Sequence, residues 1–292
     1  MNLPEYFARI GYQGQDDKAD VETLRRIHEQ HTLAIPYENL SIHCGEDIGL
    51  DLQMIYDKIV KKKRGGWCTE NNGLFYWVLK EMGYDVVMLG SQVYNCEDNM
   101  YSAKVDHLVL LTTIDNKPYL SDVGFGVLKQ MRQPLELTSG KDQPQLPGVY
   151  RLTEENGVWE LERYGRKLQA ADESYANSSL FSRSPHQKMY KFTLATCTLQ
   201  DFQDVNLELQ TSPKSLFVNK SICAVQTVEG FKALIGSTYS EWIFGYREGE
   251  DLVTLTTVGK GDHEKILKEK FNILLEKEFQ PVNNPPDVKG AP

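Results

Sequence analysis

RGGWCTENN, residues 64–72, joins a basic run to a strongly apolar helix pattern. Gly65 and Gly66 end the helix that precedes them, and Cys68 stands where the next helix is expected to begin. The amide groups of a first helical turn point toward such a sulfur, and the positive end of the helix dipole favours thiolate over thiol. Most free cysteines are instead small buried apolar residues. The position of Cys68 therefore permits either a reactive nucleophile or a packing residue.

The overall composition is that of a folded protein without a nucleic-acid partner. The chain has 292 residues, 40% hydrophobic and 25% charged, which is enough for two or three domains. Its net charge of −9 argues against a general nucleic-acid binder, which needs a basic face.

We expect a cytoplasmic protein without a membrane segment or a metal site. The first residues, MNLPEYFARI, lack the basic and apolar regions of a signal peptide, and no apolar run reaches the ~18 residues of a membrane span. The five cysteines are scattered and form no CxxC pair, which favours a reducing compartment and argues against bound zinc. They are Cys44, Cys68, Cys96, Cys197 and Cys223.

The first 83 residues predict helices, and the chain then changes to a β pattern. Asp20 is a suitable cap for the second helix, and Gly11 and Gly83 are suitable stops. The apolar stripes are Leu3, Tyr6, Phe7 and Ile10, then Leu52, Ile55, Tyr56, Ile59 and Val60, then Leu74, Trp77, Val78 and Met82. Predicted strands include VVMLGSQVYN, HLVLLTTI, KPYLSDV, GVYRLT, GVWELE, KMYKFTLATCTL, SICAVQTV, FKALIG and DLVTLTTV.

Three further segments are expected to be irregular or amphipathic. Residues 165–187 are polar and predict a loop or insertion, and QTSPKS at 210–215 predicts a linker. DHEKILKEKFNILL predicts a last helix, followed by a disordered tail at 281–292. The apolar face of that helix would hold Ile266, Leu267, Phe271, Leu274 and Leu275.

His107 and Asp122 are predicted to share one face of a hairpin. His107 begins one strand and Asp122 ends the next, with IDNKP between them. A loop of Asp115–Asn116 places Asp122 opposite Val109, and a loop one residue later places it opposite residue 111. Because side chains alternate, both registers put Asp122 on the face of His107, and the first makes them diagonal neighbours at roughly 7–8 Å.

This geometry suits a general base and the acid that orients it. Asp122 would hold one tautomer of His107 and stabilise the imidazolium. Judged separately, His107 could equally be a half-exposed strand histidine and Asp122 an ordinary turn aspartate. The sequence also does not place Cys68 beside them. We also expect Glu38 and Arg64 to form a partly buried pair that braces the turn before Cys68, because an arginine beside two glycines needs an acceptor.

These motifs together resemble the arylamine N-acetyltransferases in their vertebrate form, over nearly the whole chain to about Pro281. The motifs that carry the resemblance are RGGWC (64–68), IPYENLSIHCG (35–45), HLVL (107–110), DVGFG (122–126), QPLEL (133–137), SGKDQPQ (139–145), RLTEENG (151–157) and LQTSPKS (209–215).

The resemblance implies an α+β fold of three domains around a Cys-His-Asp core like that of cysteine proteases and transglutaminases. A helical bundle at 1–83 would carry the nucleophile. A β-barrel at 84–192 would carry the histidine, the aspartate and the insertion at 165–187. An interdomain segment at 193–210 would lead to an α/β lid with its tail at 211–292.

The resemblance also implies acetyl transfer from acetyl-CoA to arylamines and hydrazines, and O-acetylation of N-hydroxyarylamines. The transfer would be ping-pong through an acetyl-cysteine on Cys68, with His107 and Asp122 as its partners. The enzyme would be a monomer that acts on small molecules, with acetyl-CoA as co-substrate and no metal.

Binding residues are implied at positions that match the family pattern. The CoA contacts would be Ala103, Lys104, Gly124, Gly126 and Lys214, and the acceptor contacts would be Tyr37, Val93, Asp106, Phe125, Val127 and Lys129. The chain departs from the pattern at Ala103, Lys104, Asp106, Glu208 and Lys214. Two other functions fit the residues less well: a Cys-His-Asp amidase or transglutaminase-like enzyme, and a non-catalytic relative that binds CoA or another small molecule.

Overall fold

The computed structural model describes residues 1–14, 18–96, 98–126, 129–176, 180–181 and 184–284. The candidate Val127 and the residues of the predicted tail from 285 onward lie outside this part of the chain.

The N-terminal region is largely helical, as the apolar stripes predict. Its helices are α1 (Leu3–Ile10), α2 (Val21–Ala34), α3 (Leu52–Tyr56), which continues into a wider turn at Asp57–Lys61, and α4 (Cys68–Glu81). Asp20 caps α2 by accepting a hydrogen bond from the Thr23 amide, and Gly11 ends α1 in a left-handed conformation. Helix α4 begins at Cys68, so the predicted junction at the glycine pair is confirmed.

A short strand interrupts this helical region, where the sequence predicts only helices. Strand β1 (Tyr37–Glu38) pairs antiparallel with the strand Ile222–Gln226 of the C-terminal region. The Glu38 amide also donates to the Gly66 carbonyl, and the Gly66 amide donates to the Pro36 carbonyl. Two residues are too few to show a strand pattern, and their partner lies far along the chain.

A curled sheet of nine strands follows the helices. Its strands are β2 (Asp85–Asn95), β3 (Met100–Tyr101), β4 (His107–Ile114), β5 (Lys117–Ser121), β6 (Leu135–Glu136), β7 (Asp142–Gln145), β8 (Gly148–Glu155), β9 (Val158–Tyr164) and β11 (His186–Cys197). Strand β10 (Lys167–Ala170) lies between β9 and β11 in the chain but belongs to another sheet. The order in the sheet is β6-β5-β4-β2-β11-β9-β8-β7, and β3 pairs with β2 alone.

Two glutamine side chains connect the edges of this sheet and nearly close it into a barrel. The Gln143 amide accepts from the Glu136 N–H and donates to the Glu136 carbonyl. The Gln145 amide accepts from the Arg132 and Gln133 N–H groups and donates to the Gln133 carbonyl. Each amide satisfies edge backbone groups as a paired strand would.

The segment 165–187 differs from the expected loop. Its strand β10 leaves the barrel sheet and pairs parallel with the strand Glu250–Thr257. Leu168 packs into an apolar cluster on the C-terminal sheet to which that strand belongs. Arg166 forms an ion pair with the buried Asp251. A four-residue strand among polar residues gives no clear alternation, which is why the sequence predicts a loop here.

The C-terminal region forms a six-stranded sheet with one long flanking helix. Its elements are α5 (Gln203–Thr211), α6 (Leu216–Asn219), β12 (Ile222–Gln226), β13 (Gly230–Ile235), β14 (Thr238–Arg247), β15 (Glu250–Thr257) and α7 (His263–Phe271). The sheet order is β1-β12-β13-β14-β15-β10, so strands from three parts of the chain meet in it. Strand β14 is absent from the strands predicted by sequence.

The last helix is shorter than predicted. It ends at Phe271 because Asn272 adopts a left-handed conformation with φ of 55°. Leu274 therefore does not share the apolar face, and its exposure is 65%. Helix α5 (Gln203–Thr211) extends into the predicted linker at 210–215 and occupies its first two residues.

Apolar side chains form four buried clusters. One joins the helices to one face of β2 and β4, one fills the barrel, and two lie on the faces of the C-terminal sheet. Among the helices of the described residues, none is long and apolar enough to span a membrane. All five cysteines lie in the described residues and are free thiols.

The β4–β5 hairpin confirms the first of the two predicted registers. Ile114 pairs with Lys117, and Leu110 pairs with Ser121, which places Asp122 opposite Val109. The loop residues Asp115 and Asn116 have φ of 50° and 61°, the left-handed pair that a tight two-residue hairpin requires.

We predict that Gly65→Ala destabilises the fold by about 3 kcal/mol or more. A Cβ at this position would lie 2.0 Å from the Pro36 carbonyl oxygen, which is backbone and cannot rotate away. Gly49→Ala is the matched control, because its nearest neighbour would be a methionine tip at 3.6 Å. Urea unfolding of both variants tests this, and equal midpoints would contradict the proposed close approach.

Candidate active site

Cys68 lies at the first turn of α4, and the turn is braced on both sides. The Asn71 side chain donates to the Gly66 carbonyl at 2.8 Å, and the Glu70 carboxylate accepts from the Trp67 amide at 3.1 Å. Lys58 pairs with the same carboxylate at 2.8 Å. Cys68 is buried, and its Sγ lies 3.8 Å from the carbonyl oxygen of Asp106.

A buried ion pair joins this turn to strand β1, as expected from the sequence. Arg64 Nε and Nη2 donate to the two carboxylate oxygens of Glu38 at 2.9 and 3.1 Å. The same carboxylate accepts from the backbone amides of Leu40 and Gly65. Burial works to raise the pKa of Glu38, but the charges of Arg64 and Lys58 outweigh it and hold the pKa below its ordinary value.

His107 and Asp122 form a second buried pair. The distance from His107 Nε2 to Asp122 Oδ2 is 2.8 Å, and both side chains are inaccessible to solvent or nearly so. The other carboxylate oxygen accepts from Asn72 Nδ2 at 2.9 Å and from the Gly124 amide at 3.0 Å. Asp122 is therefore held as an acceptor on both oxygens.

The charge state of His107 follows from the balance between burial and its neighbours. Burial works to lower the pKa of His107, but the Asp122 carboxylate and its hydrogen bond, with a further contribution from Cys68, raise the pKa to about 10. The pKa of Asp122 is lowered: burial opposes the charged form, and the charge and hydrogen bond of His107 outweigh it. The imidazolium is thus the favoured form at neutral pH.

The structure brings Cys68, His107 and Asp122 together, which the sequence alone did not establish. Helix α4 carries Cys68 and Asn72 one turn apart, so one helix face supplies both the sulfur and a hydrogen bond to Asp122. The loop after Asp122 lies directly against Cys68, since a Cβ on Gly124 would be 2.9 Å from the Cys68 Cα.

An aromatic wall covers the imidazole. The rings of Phe125 and His107 meet edge to face with centroids 5.1 Å apart, and Tyr190 lies 5.2 Å from each of them. Gly126, with φ of 68°, allows the Tyr37 ring to pack on the same loop, because a Cβ there would lie 2.6 Å from that ring. Phe125 and Tyr37 are half-buried and border the site.

Comparison with known proteins identifies the fold and the family. The N-acetyltransferase family profile matches residues 20–280. The chain is 50% identical over 290 residues to the pineal gland arylamine N-acetyltransferase isozyme NAT-10 of Gallus gallus, covering 99% of both chains. It is 46% identical to arylamine N-acetyltransferase 2 of Rattus norvegicus, covering 96% of this chain and 97% of the relative. The chain belongs to the arylamine N-acetyltransferase family.

Solved structures of this transferase family share the fold. The Mycobacterium marinum arylamine N-acetyltransferase superposes with a TM-score of 0.78 at 28% identity, covering 93% of each chain. The structure of the same bacterium's enzyme in complex with CoA superposes with a TM-score of 0.77 at 27% identity, also covering 93% of each chain.

The candidate CoA residues fall into two groups. Ala103 and Lys104 lie exposed in the loop before His107, and Lys214 is exposed near the end of α5. Gly124 and Gly126 instead lie buried in the loop after Asp122, where both permit close packing. Lys104 forms an ion pair with Glu208 of α5 at 2.5 Å, so two residues that depart from the family pattern contact each other.

Among the candidate acceptor residues, Asp106 binds strand β2 and its own loop. Its Oδ1 accepts from the Val93 amide and from Ser102 Oγ, at 3.0 and 2.9 Å. Burial raises the pKa of this carboxyl. Val93 pairs with Tyr190 across two strands, and Lys129 Nζ lies 3.9 Å from Cys96 Sγ.

Sequence analysis missed four side chains that hold the site, namely Asn72, His28, Gln130 and Tyr190. His28 Nε2 accepts from the Asp122 amide at 3.2 Å, and the Gln130 side chain donates to the Asp122 carbonyl. Asn72 carries a visible signal, since it is a polar residue one helical turn from the cysteine. The other three have none, because their contacts depend on the tertiary fold.

We predict that Glu38→Gln lowers the free energy of unfolding by about 3 kcal/mol, since the buried Arg64 loses its closest charge partner and keeps only Glu46, at 3.8 Å. Glu22→Gln is the control, because Glu22 and Arg25 form an exposed ion pair and its loss should cost less than about 0.5 kcal/mol. Denaturant unfolding measures both. A Glu38→Gln variant as stable as the control would show that the buried pair contributes little.

Proposed function

We propose that this chain transfers an acetyl group from acetyl-CoA to arylamines through an acetyl-cysteine on Cys68. The observation that carries the proposal is the convergence of the Cys68 sulfur, the buried His107–Asp122 pair and the start of helix α4. Family membership supports the donor and the class of acceptor.

In the first step His107 holds the proton and Cys68 attacks as thiolate. The raised pKa of His107, about 10, favours this imidazolium–thiolate pair at neutral pH. The sulfur attacks the acetyl carbonyl of the thioester, the bond from that carbon to the CoA sulfur breaks, and the leaving CoA thiolate takes the proton from His107. Asp122 keeps the imidazole oriented during the transfer.

We infer that the start of α4 stabilises the oxyanion of the tetrahedral intermediate. First-turn amides have no carbonyl partner within their own helix, so the Cys68 amide is the natural donor. Loss of one such donor costs about 10²–10³ in rate.

In the second step the arylamine nitrogen attacks the acetyl-cysteine while His107 accepts a proton from it. The bond from the acetyl carbon to the Cys68 sulfur breaks, and the amide product leaves. Because donor and acceptor occupy the site in turn, the kinetics are ping-pong. The half-buried Phe125 and Tyr37 offer flat surfaces that suit aromatic amines. Hydrazines would react in the same way, and N-hydroxyarylamines would be O-acetylated.

The exposed lysines Lys104 and Lys214 are the cations we assign to the CoA phosphates. Lys104 would exchange its partner Glu208 for a phosphate, an exchange that costs little because both side chains of the ion pair are exposed to solvent. We further propose that the protein is a cytoplasmic monomer. Its three domains would be residues 1–83, 84–192 and 211–292, with an interdomain segment at 193–210.

Asp122→Asn tests the role of the carboxylate. Without it burial dominates at His107 and lowers its pKa, so the imidazolium is lost at neutral pH. We expect iodoacetamide to alkylate Cys68 at least about 10-fold more slowly at pH 7, and turnover to fall by about 10³-fold or more. The unaltered protein at the same pH is the reference for both rates. Unchanged rates in the variant would remove Asp122 from the mechanism.

Mass spectrometry of the intact protein after mixing with acetyl-CoA, without amine, tests the central step. We expect one added acetyl group on the peptide that carries Cys68, removed by an arylamine such as 4-methoxyaniline. Cys68→Ser should remain folded, carry no stable acetyl group and lose turnover. A protein with a rapidly alkylated Cys68 but no adduct would be a hydrolase or transglutaminase-like enzyme, and a slow thiol without adduct would indicate a binding protein.

A further inference from the structure

The buried side chain of Gln130 binds the loop at residues 122–126, which carries Phe125. Its Oε1 accepts from the backbone amides of Phe125 and Gly126 at 2.8 and 3.3 Å. Its Nε2 donates to the carbonyls of Asp122 and Met131. One amide group therefore binds both ends of the segment 122–126.

This contact determines where the Phe125 ring lies. Gln130 holds the backbone amides of Phe125 and Gly126. Because the backbone is fixed at this point, the Phe125 ring is directed onto His107 and Tyr190.

The C-terminal sheet holds Gln130 in turn. Gln226 Nε2, on strand β12, donates to the Gln130 carbonyl at 2.5 Å, and Gln226 Oε1 accepts from Arg132 Nε at 3.0 Å. Arg132 also donates to the carbonyls of Thr227 and Val228. These buried hydrogen bonds connect the strand end at Gln226 to the loop of Phe125.

We propose that Gln130 is a positioning residue that makes the enzyme select planar aromatic acceptors, by fixing the Phe125 ring beside His107. The proposal rests on the proposed function, since it concerns the acceptor of that reaction. Gln130 touches no reacting atom. It acts through the loop backbone, and Gln226 extends its support to the C-terminal sheet.

Gln130→Glu is the informative variant because it changes hydrogen bonds and hardly changes shape. The carboxylate still accepts from the Phe125 and Gly126 amides, but it repels the Asp122 and Met131 carbonyls to which the amide donates. Gln143→Glu is the matched control, since Gln143 also binds backbone groups through its amide but lies at the barrel edge.

The two half-reactions are measured separately. Formation of acetyl-Cys68 from acetyl-CoA reports the first, and deacetylation by 4-methoxyaniline or by hydrazine reports the second with a planar or a small acceptor. For Gln130→Glu we expect the KM for 4-methoxyaniline to rise about 10-fold more than the KM for hydrazine. Any loss that acts through the Asp122 carbonyl falls equally on both acceptors and on acetyl-enzyme formation. Gln143→Glu should leave the preference for the aromatic amine unchanged.

Gln226→Glu is the second variant, for the case in which Gln130→Glu does not fold. Its carboxylate still accepts from Arg132 Nε but cannot donate to the Gln130 carbonyl. The preference for 4-methoxyaniline over hydrazine should therefore fall about 3-fold. Equal losses with both acceptors, or an unchanged preference in the folded variants, would overturn the role of Gln130. An unaltered enzyme that forms no acetyl-Cys68 would overturn the proposed function and this inference with it, whereas acetylation with unchanged preference would overturn only the inference.

Discussion

The placement of Cys68 depends on the buried ion pair between Glu38 and Arg64. Glu38 belongs to a two-residue strand that pairs with the C-terminal sheet, and Arg64 begins the turn that leads into α4. The carboxylate also binds the Gly65 amide, and the backbone of Glu38 pairs with Gly66. The start of the helix that presents Cys68 is therefore fixed by a strand more than 150 residues away in sequence. Because each of these buried charges would lose its closest partner, the pair is costly to break.

Asp122 is held by a different part of the chain at each polar atom. Its amide donates to His28 of α2, its carbonyl accepts from Gln130, and its two carboxylate oxygens accept from Asn72 of α4 and from His107 of β4. The Gly124 amide completes the set. A carboxylate restrained in this way cannot rotate, and a preorganised acceptor is what keeps an imidazole in one orientation through two proton transfers.

The local features of this site are predictable from sequence, and the long-range contacts are not. Helix caps, the start of α4 at Cys68 and the tight loop at Asp115–Asn116 depend on neighbouring residues, so the hairpin register and the shared face of His107 and Asp122 follow from the pattern. Strands β1 and β10 are too short to show a period, and each pairs with a distant strand. The amide of Gln130 has no sequence signal, since its role depends on which backbone groups the fold brings to it.

Two buried histidines beside Asp122 show that the carboxylate, and not burial, decides the charge of the site. Burial lowers the pKa of His28 to about 4, because no carboxylate hydrogen bonds to its ring. His28 is therefore neutral, with Nδ1 donating to the Arg132 carbonyl and Nε2 free to accept from the Asp122 amide. His107 is equally buried, yet the Asp122 carboxylate raises its pKa to about 10. One aspartate thus binds a neutral histidine through its backbone amide and keeps the other histidine charged beside the Cys68 sulfur, as the proposed mechanism requires.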